Sequence, residues 1–130
     1  KDINISFKND GKNNYFINGI ENRIEQIIAN LLDNSISFSE MGANILVDVS
    51  ISSKKEIIIK IIDEGQGFKE IDTNKIFKRF YSNRPDKFGE HSGLGLNIVK
   101  NLVDIHEGKI FAFNRENYQG AEIQINFPSV

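Results

Sequence analysis

Two periods alternate along this chain, and each change of period marks a new element. In "INISFK" (3–8) apolar and polar side chains take turns, the signature of a half-buried strand. "NDGKNN" follows as a turn and "YFING" (15–19) as a short second strand. From Glu21 the spacing becomes helical: Ile24, Ile27, Ile28 and Leu31 form a stripe that continues through Ser35 to Phe38, where "SEMGAN" breaks it. "ILVDVSIS" (45–52) and "EIIIKIID" (56–63) alternate again and, separated by "SKK", predict a hairpin. Ile45, Val47, Val49 and Ile51 share one face of the first strand, and Ile57, Ile59, Ile61 and Asp63 share one face of the second. From Lys69 to Ser92 no period is sustained beyond a short helical turn expected around "TNKIFKRF". A stretch of that length inside a compact domain points to a functional cover or to disorder. Gly93 to Leu96 open a second amphipathic helix running through "NIVKNLVDIH", and "GKIFAFN" and "AEIQINF" close the chain as strands. The order predicts a single α+β domain over 1–130, a two-layer sandwich with helices on one face of a mixed, mainly antiparallel sheet.

Composition narrows the function by exclusion. Sixteen basic against eighteen acidic residues leave a net charge of −2, which argues against a nucleic-acid footprint or a polybasic membrane patch. Without cysteine there is neither a disulfide framework nor a thiolate metal site. No apolar run approaches the roughly 20 residues of a membrane span, and no signal peptide is visible. The chain starts with Lys rather than Met, so a fragment of a longer protein is expected. No G-x-x-x-x-G-K-[ST] occurs, and His91 and His106 lack metal-ligand or triad spacing.

Several residues stand out against the pattern. Asp63 continues the core-facing side of its strand, where an unsupported carboxylate costs several kcal/mol. It either starts a turn or accepts a hydrogen bond from a ligand lodged between sheet and helices, with Gly65 and Gly67 keeping the next segment low. Asn30 and Asn34 lie about 40° apart on the helical wheel, at the border of the apolar stripe. They are either solvent-facing or poised to use a side-chain carbonyl, a good ligand for a hard cation such as Mg²⁺. The aperiodic stretch mixes Phe77, Phe80 and Tyr81 with Lys75, Lys78, Arg79, Arg84 and Lys87, suited to packing a loop or to covering an anion. Glycines at 93 and 95 cost helix stability, yet they bare the unpaired amides of a first turn, which suit phosphate. A tight turn or close helix packing would explain them as well.

In order and spacing these pieces resemble the catalytic, ATP-binding domain of sensor histidine kinases, a branch of the Bergerat-fold (GHKL) ATPases. "NLLDNSISFS" (30–39) resembles the N box, "DEGQGF" (63–68) the first glycine box, "IFKRFY" (76–81) the F box and "SGLGLNIV" (92–99) the second glycine box. "IHEGKI" (105–110) resembles the family's approach to the following strand, and "FYSNRPDKFGEHSGLGL" is similar to the ChvG/ExoS-type kinases of alphaproteobacteria.

The resemblance implies the Bergerat fold, ATP and Mg²⁺ as cofactors, and a lid at about 69–92. It implies Asn34 as the Mg²⁺ ligand, Asp63 as acceptor from the adenine amino group, and Gly65 and Gly67 as shapers of the adenine pocket. Gly93, Leu94, Gly95 and Leu96, with Ser92 beside them, would meet the phosphates, while Phe77, Phe80 and Tyr81 would anchor the lid over the nucleotide. Asn30 stands where ATP-hydrolysing relatives carry a glutamate base; it and Arg84 are the candidate catalytic contacts. Many members carry a Lys or Arg where Ser37 stands and an Arg where Ser82 stands; Arg84 would replace the latter, with Arg79 as the alternative. The "HGG" of many members is here His106-Glu107-Gly108.

The function implied is binding of Mg-ATP and presentation of its γ-phosphate to a histidine on a separate dimerisation and phosphoacceptor domain, in two-component signalling. A response regulator is then the further partner, and the parent a dimer in the bacterial inner membrane with this module, itself a monomer, in the cytoplasm. The alternatives are an ATP-hydrolysing or serine-kinase relative, or a non-catalytic module on the same scaffold.

Overall fold

A computed structural model describes residues 3–9, 19, 21–37, 39–65, 67, 76–77, 94–116 and 118–128. Strand β1 (Asn4–Asn9) precedes helix α1 (Glu21–Ser37), and β2 (Asn44–Ile51) and β3 (Glu56–Ile62) follow. Helix α2 (Leu94–Ile105) then leads into β4 (Lys109–Asn114) and β5 (Ala121–Pro128). The strands form one sheet in the order β1-β2-β3-β5-β4. Among the described residues only β1 and β2 run parallel, with α1 between them in the chain, and every other pairing is antiparallel. The mixed, mainly antiparallel α+β sandwich expected from the periods is therefore present. The strand expected at 15–19 lies outside the described residues apart from Gly19, as does most of the expected lid.

Local chemistry sets the element ends. Glu21 places a negative charge in the first turn of α1, at the positive end of its dipole. At the far end the Ser39 hydroxyl donates to the Ser35 carbonyl at 2.7 Å, and the described helix runs to Ser37. The β2–β3 turn is held by Ser52, whose hydroxyl oxygen accepts from the amides of Lys54 (3.3 Å) and Glu56 (3.1 Å). Lys55 closes that turn in the left-handed region, at φ 62°.

The core lies between one face of the sheet and the two helices. Ile27 and Leu31 of α1 and Val99 and Val103 of α2 are fully buried against Ile45, Val47, Ile61, Ile123, Ile125 and Phe127. Each such aliphatic side chain contributes about 1.5–3 kcal/mol by leaving water. Ile76 and Phe77, from the middle of the aperiodic segment, belong to the same cluster at 0% and 5% exposure. The periodicity of α1 and α2 thus aims both helices at the sheet, and one piece of the aperiodic segment is anchored beneath them.

Candidate functional site

Asp63 directly follows β3, on the face that carries Ile57 and Ile61, and is 1% exposed. Its Oδ1 accepts from the amide of Gly65 at 2.9 Å and from the amide of Ala121 at 3.1 Å. The Asp63 amide in turn donates to the Ala121 carbonyl at 2.9 Å, which continues the β3–β5 ladder one residue past Ile62 and Glu122. An ionised carboxylate has about four lone-pair sites. Two amides on one oxygen fix its plane and offset part of the cost of burial. Asp63 is thus both the start of a turn, the plainer reading of its sequence position, and a core-facing carboxylate supported by main-chain donors.

Three glycines make this cradle possible. Gly67 has φ +78°, and a Cβ there would come within 2.7 Å of Asn114 Oδ1 and 3.3 Å of the Gly120 carbonyl. Gly120, at φ +137°, brings the β4–β5 turn so close that a Cβ would overlap the Asp63 carbonyl oxygen. Gly65 is buried and donates the first of the two amides. Arg115 spans the same turn: its guanidinium lies 3.4 Å from the Gln119 carbonyl and 4.7 Å from the centre of the Tyr118 ring.

On the helical side, Asn30 is half-buried and Asn34, one turn later, is 7% exposed. The Asn34 Nδ2 has no hydrogen-bond partner among the described residues. Helix α2 begins at Leu94, so Leu94, Gly95 and half-buried Leu96 form its first turn, as the spacing predicted. Phe77 is buried, and its carbonyl accepts from Asn97 Nδ2 at 3.1 Å. Phe80, Tyr81, Arg84, Ser92 and Gly93 lie outside the described residues, as does the alternative Arg79. Among the described residues no three His, Cys, Asp or Glu side chains cluster as a metal site.

The sequence profile of the histidine kinase-, DNA gyrase B- and HSP90-like ATPases matches residues 19–130. The chain belongs to this ATPase family. Among its relatives, the sensor protein ChvG of Agrobacterium fabrum is 40% identical over 106 residues, 79% of this chain and 18% of ChvG. The sensor protein KdpD of Clostridium acetobutylicum is 44% identical over 108 residues, 81% of this chain and 12% of KdpD. The chain therefore spans less than a fifth of either relative, and the likeness to ChvG expected from the sequence is present. In structure, a mycobacterial sensor histidine kinase, MprB, superposes with a TM-score of 0.83 at 25% identity, covering 98% of this chain and 82% of that one. The catalytic domain of the histidine kinase ThkA superposes with a TM-score of 0.80 at 26% identity, covering 97% and 80%. The fold is thus that of a histidine kinase catalytic domain.

Within this ATPase fold the structure brings together Asp63, Gly65, Gly67 and the β4–β5 turn at one end of the sheet. Gly120 and Ala121 also help to build this cradle, and neither they nor Asn97 stand out in the sequence. Ala121 works only through its backbone, and the amide of Asn97 reaches a carbonyl twenty residues away.

Proposed function

We propose that this chain is the ATP-binding part of a sensor histidine kinase: it takes up Mg-ATP and presents the γ-phosphate to a histidine on a separate dimerisation and phosphoacceptor domain. The observation that carries this reading is Asp63, a buried carboxylate held in plane by two main-chain amides and able to accept from the amino group of adenine. Asn34 fits the other end of the nucleotide. Its buried, unpartnered amide lacks the hydrogen bond that burial demands, which a phosphate oxygen supplies, and turned over it offers its carbonyl to Mg²⁺. The metal supplies neutralisation of phosphate charge. The first turn of α2, from Leu94 to Leu96, supplies unpaired amides at a positive dipole end. The reaction then depends on orientation: an imidazole nitrogen of the acceptor bonds to the γ-phosphorus while the bond to ADP breaks.

Asn30 supports transfer over hydrolysis, because an amide cannot deprotonate water as a carboxylate does. We place the parent in the bacterial inner membrane as a dimer, with this module on the cytoplasmic side and a response regulator receiving the phosphoryl group downstream. Among the described residues no helix is long and apolar enough to cross a membrane.

Calorimetric titration of Mg-ATP and Mg-GTP into the wild type and Asp63→Asn tests the reading. The asparagine oxygen still accepts from Gly65 and Ala121, but an NH₂ replaces the second acceptor. ATP affinity is expected to fall about tenfold or more, the equivalent of about 1.4 kcal/mol or more, and GTP affinity to fall less. Equal affinity of variant and wild type for ATP would remove Asp63 from the site.

A further inference from the structure

The side chain of Asn97 makes a contact that the nucleotide reading above does not use. It sits in the first turn of α2, half-buried, and its Nδ2 donates to the Phe77 carbonyl at 3.1 Å. Asparagine is a poor residue for a helix interior, and its usual compensation is a bond to its own backbone neighbours. Here the bond leaves the helix for a turn twenty residues earlier in the chain. That turn needs no hydrogen bond to stay in place. Ile76 and Phe77 are sunk in the core at 0% and 5% exposure, and their burial outweighs a single hydrogen bond severalfold. Apolar burial has no direction, however. It holds the turn against α2 without fixing the height or rotation of the helix relative to the turn. A hydrogen bond of defined length does fix both.

We propose that Asn97 is a positioning residue, a strut that sets the first turn of α2 against the Phe77 carbonyl and so holds the helix amides where they meet the nucleotide phosphates. The proposal rests on the nucleotide reading of the site. Asp63 lies at the end of β3 and is supported from Gly65 and Ala121, so the strut acts on the phosphate end of the ligand and not on the base. Losing it lowers the fraction of molecules whose helix is in register, and affinity falls in proportion to that fraction.

The test uses the 130-residue chain with Asn97→Ala and with Asn97→Leu, which keeps the branched outline of the side chain but cannot donate. Mg-ATP affinity is read by calorimetry, adenosine affinity by an NMR chemical-shift titration, and folding by circular dichroism. In both variants ATP affinity is expected to drop about fivefold, while the adenosine affinity and the folded signal hold. Unchanged ATP affinity in both variants overturns the proposal. So does a parallel loss for ATP and adenosine, which would make Asn97 a structural residue only. A wild type that binds ATP while the variants match it sinks the strut alone; a wild type that binds no ATP sinks the nucleotide reading and the strut with it.

Discussion

Asn34 and Asp63 are both buried and polar, and their surroundings treat them in opposite ways. Asp63 receives two main-chain amides on one oxygen, whereas the Nδ2 of Asn34 receives nothing among the described residues. A buried donor without a partner costs about 1–3 kcal/mol, so Asn34 lowers the stability of the empty protein. Leucine has the same branched outline, is bulkier, and brings no polar atom and a better helix propensity. Asn34→Leu is therefore expected to stabilise the ligand-free chain by about 1 kcal/mol in urea unfolding, while weakening Mg-ATP binding about tenfold or more. A variant that is less stable and still binds Mg-ATP normally would show that the asparagine serves the fold and not the ligand. The two effects have opposite signs, so one substitution separates a binding residue from a packing residue.

At the scale of elements, the end of α2 shows where a departure from the family's pattern falls. Gly108 donates to the Val103 carbonyl at 2.9 Å and Glu107 to the Asp104 carbonyl at 3.0 Å, the paired bonds of a Schellman cap. The left-handed position of that cap, normally glycine, is Glu107 at φ 62°. Gly108 cannot vary in the same way, since a Cβ there would come within 2.9 Å of the Asn126 carbonyl. Glu107→Gly removes the left-handed penalty but loosens the unfolded chain, leaving an expected gain of about 0.5–1 kcal/mol in thermal unfolding with nucleotide affinity unchanged. A loss of stability would mean that the glutamate side chain does something the cap geometry does not show. The same elements show what a sequence can disclose. Helix and strand positions were legible because burial imposes a period, so α1, α2 and the β2–β3 hairpin fall within a residue or two of where the stripes put them. Asp63 was legible as a charge out of phase with its strand. Gly120 and Ala121 were not, because their role arises from β5 pairing with β3 across fifty-eight residues, and no local pattern encodes that register. Asn97 was hidden for the same reason: its partner is set by the tertiary fold.

For the whole molecule, the question is whether a chain that binds ATP can also accept its phosphate. An acceptor imidazole must reach the γ-phosphorus with a free nitrogen lone pair. His106 is 9% exposed at the far end of α2 from its first turn, and its Nδ1 lies 2.7 Å from the Leu102 carbonyl. A Cβ on Gly19 would come within 3.2 Å of the other ring nitrogen, so the backbone there closes over that side of the ring. Twelve helical residues at about 1.5 Å each put roughly 18 Å between the two ends of α2, far beyond the reach of a side chain. His91 lies outside the described residues, and its place in the chain is the segment expected to cover the nucleotide. The isolated chain is thus expected to bind Mg-ATP without phosphorylating itself, and to gain that activity only when a phosphoacceptor domain is supplied. Incubation with γ-labelled ATP, followed by assay of acid-labile phosphate on the wild type and on His91→Ala, checks this. Label on the wild type that vanishes in His91→Ala would make this histidine the acceptor and the proposed division of labour between two domains wrong. Label that persists would leave only His106, and α2 would have to unwind to deliver it.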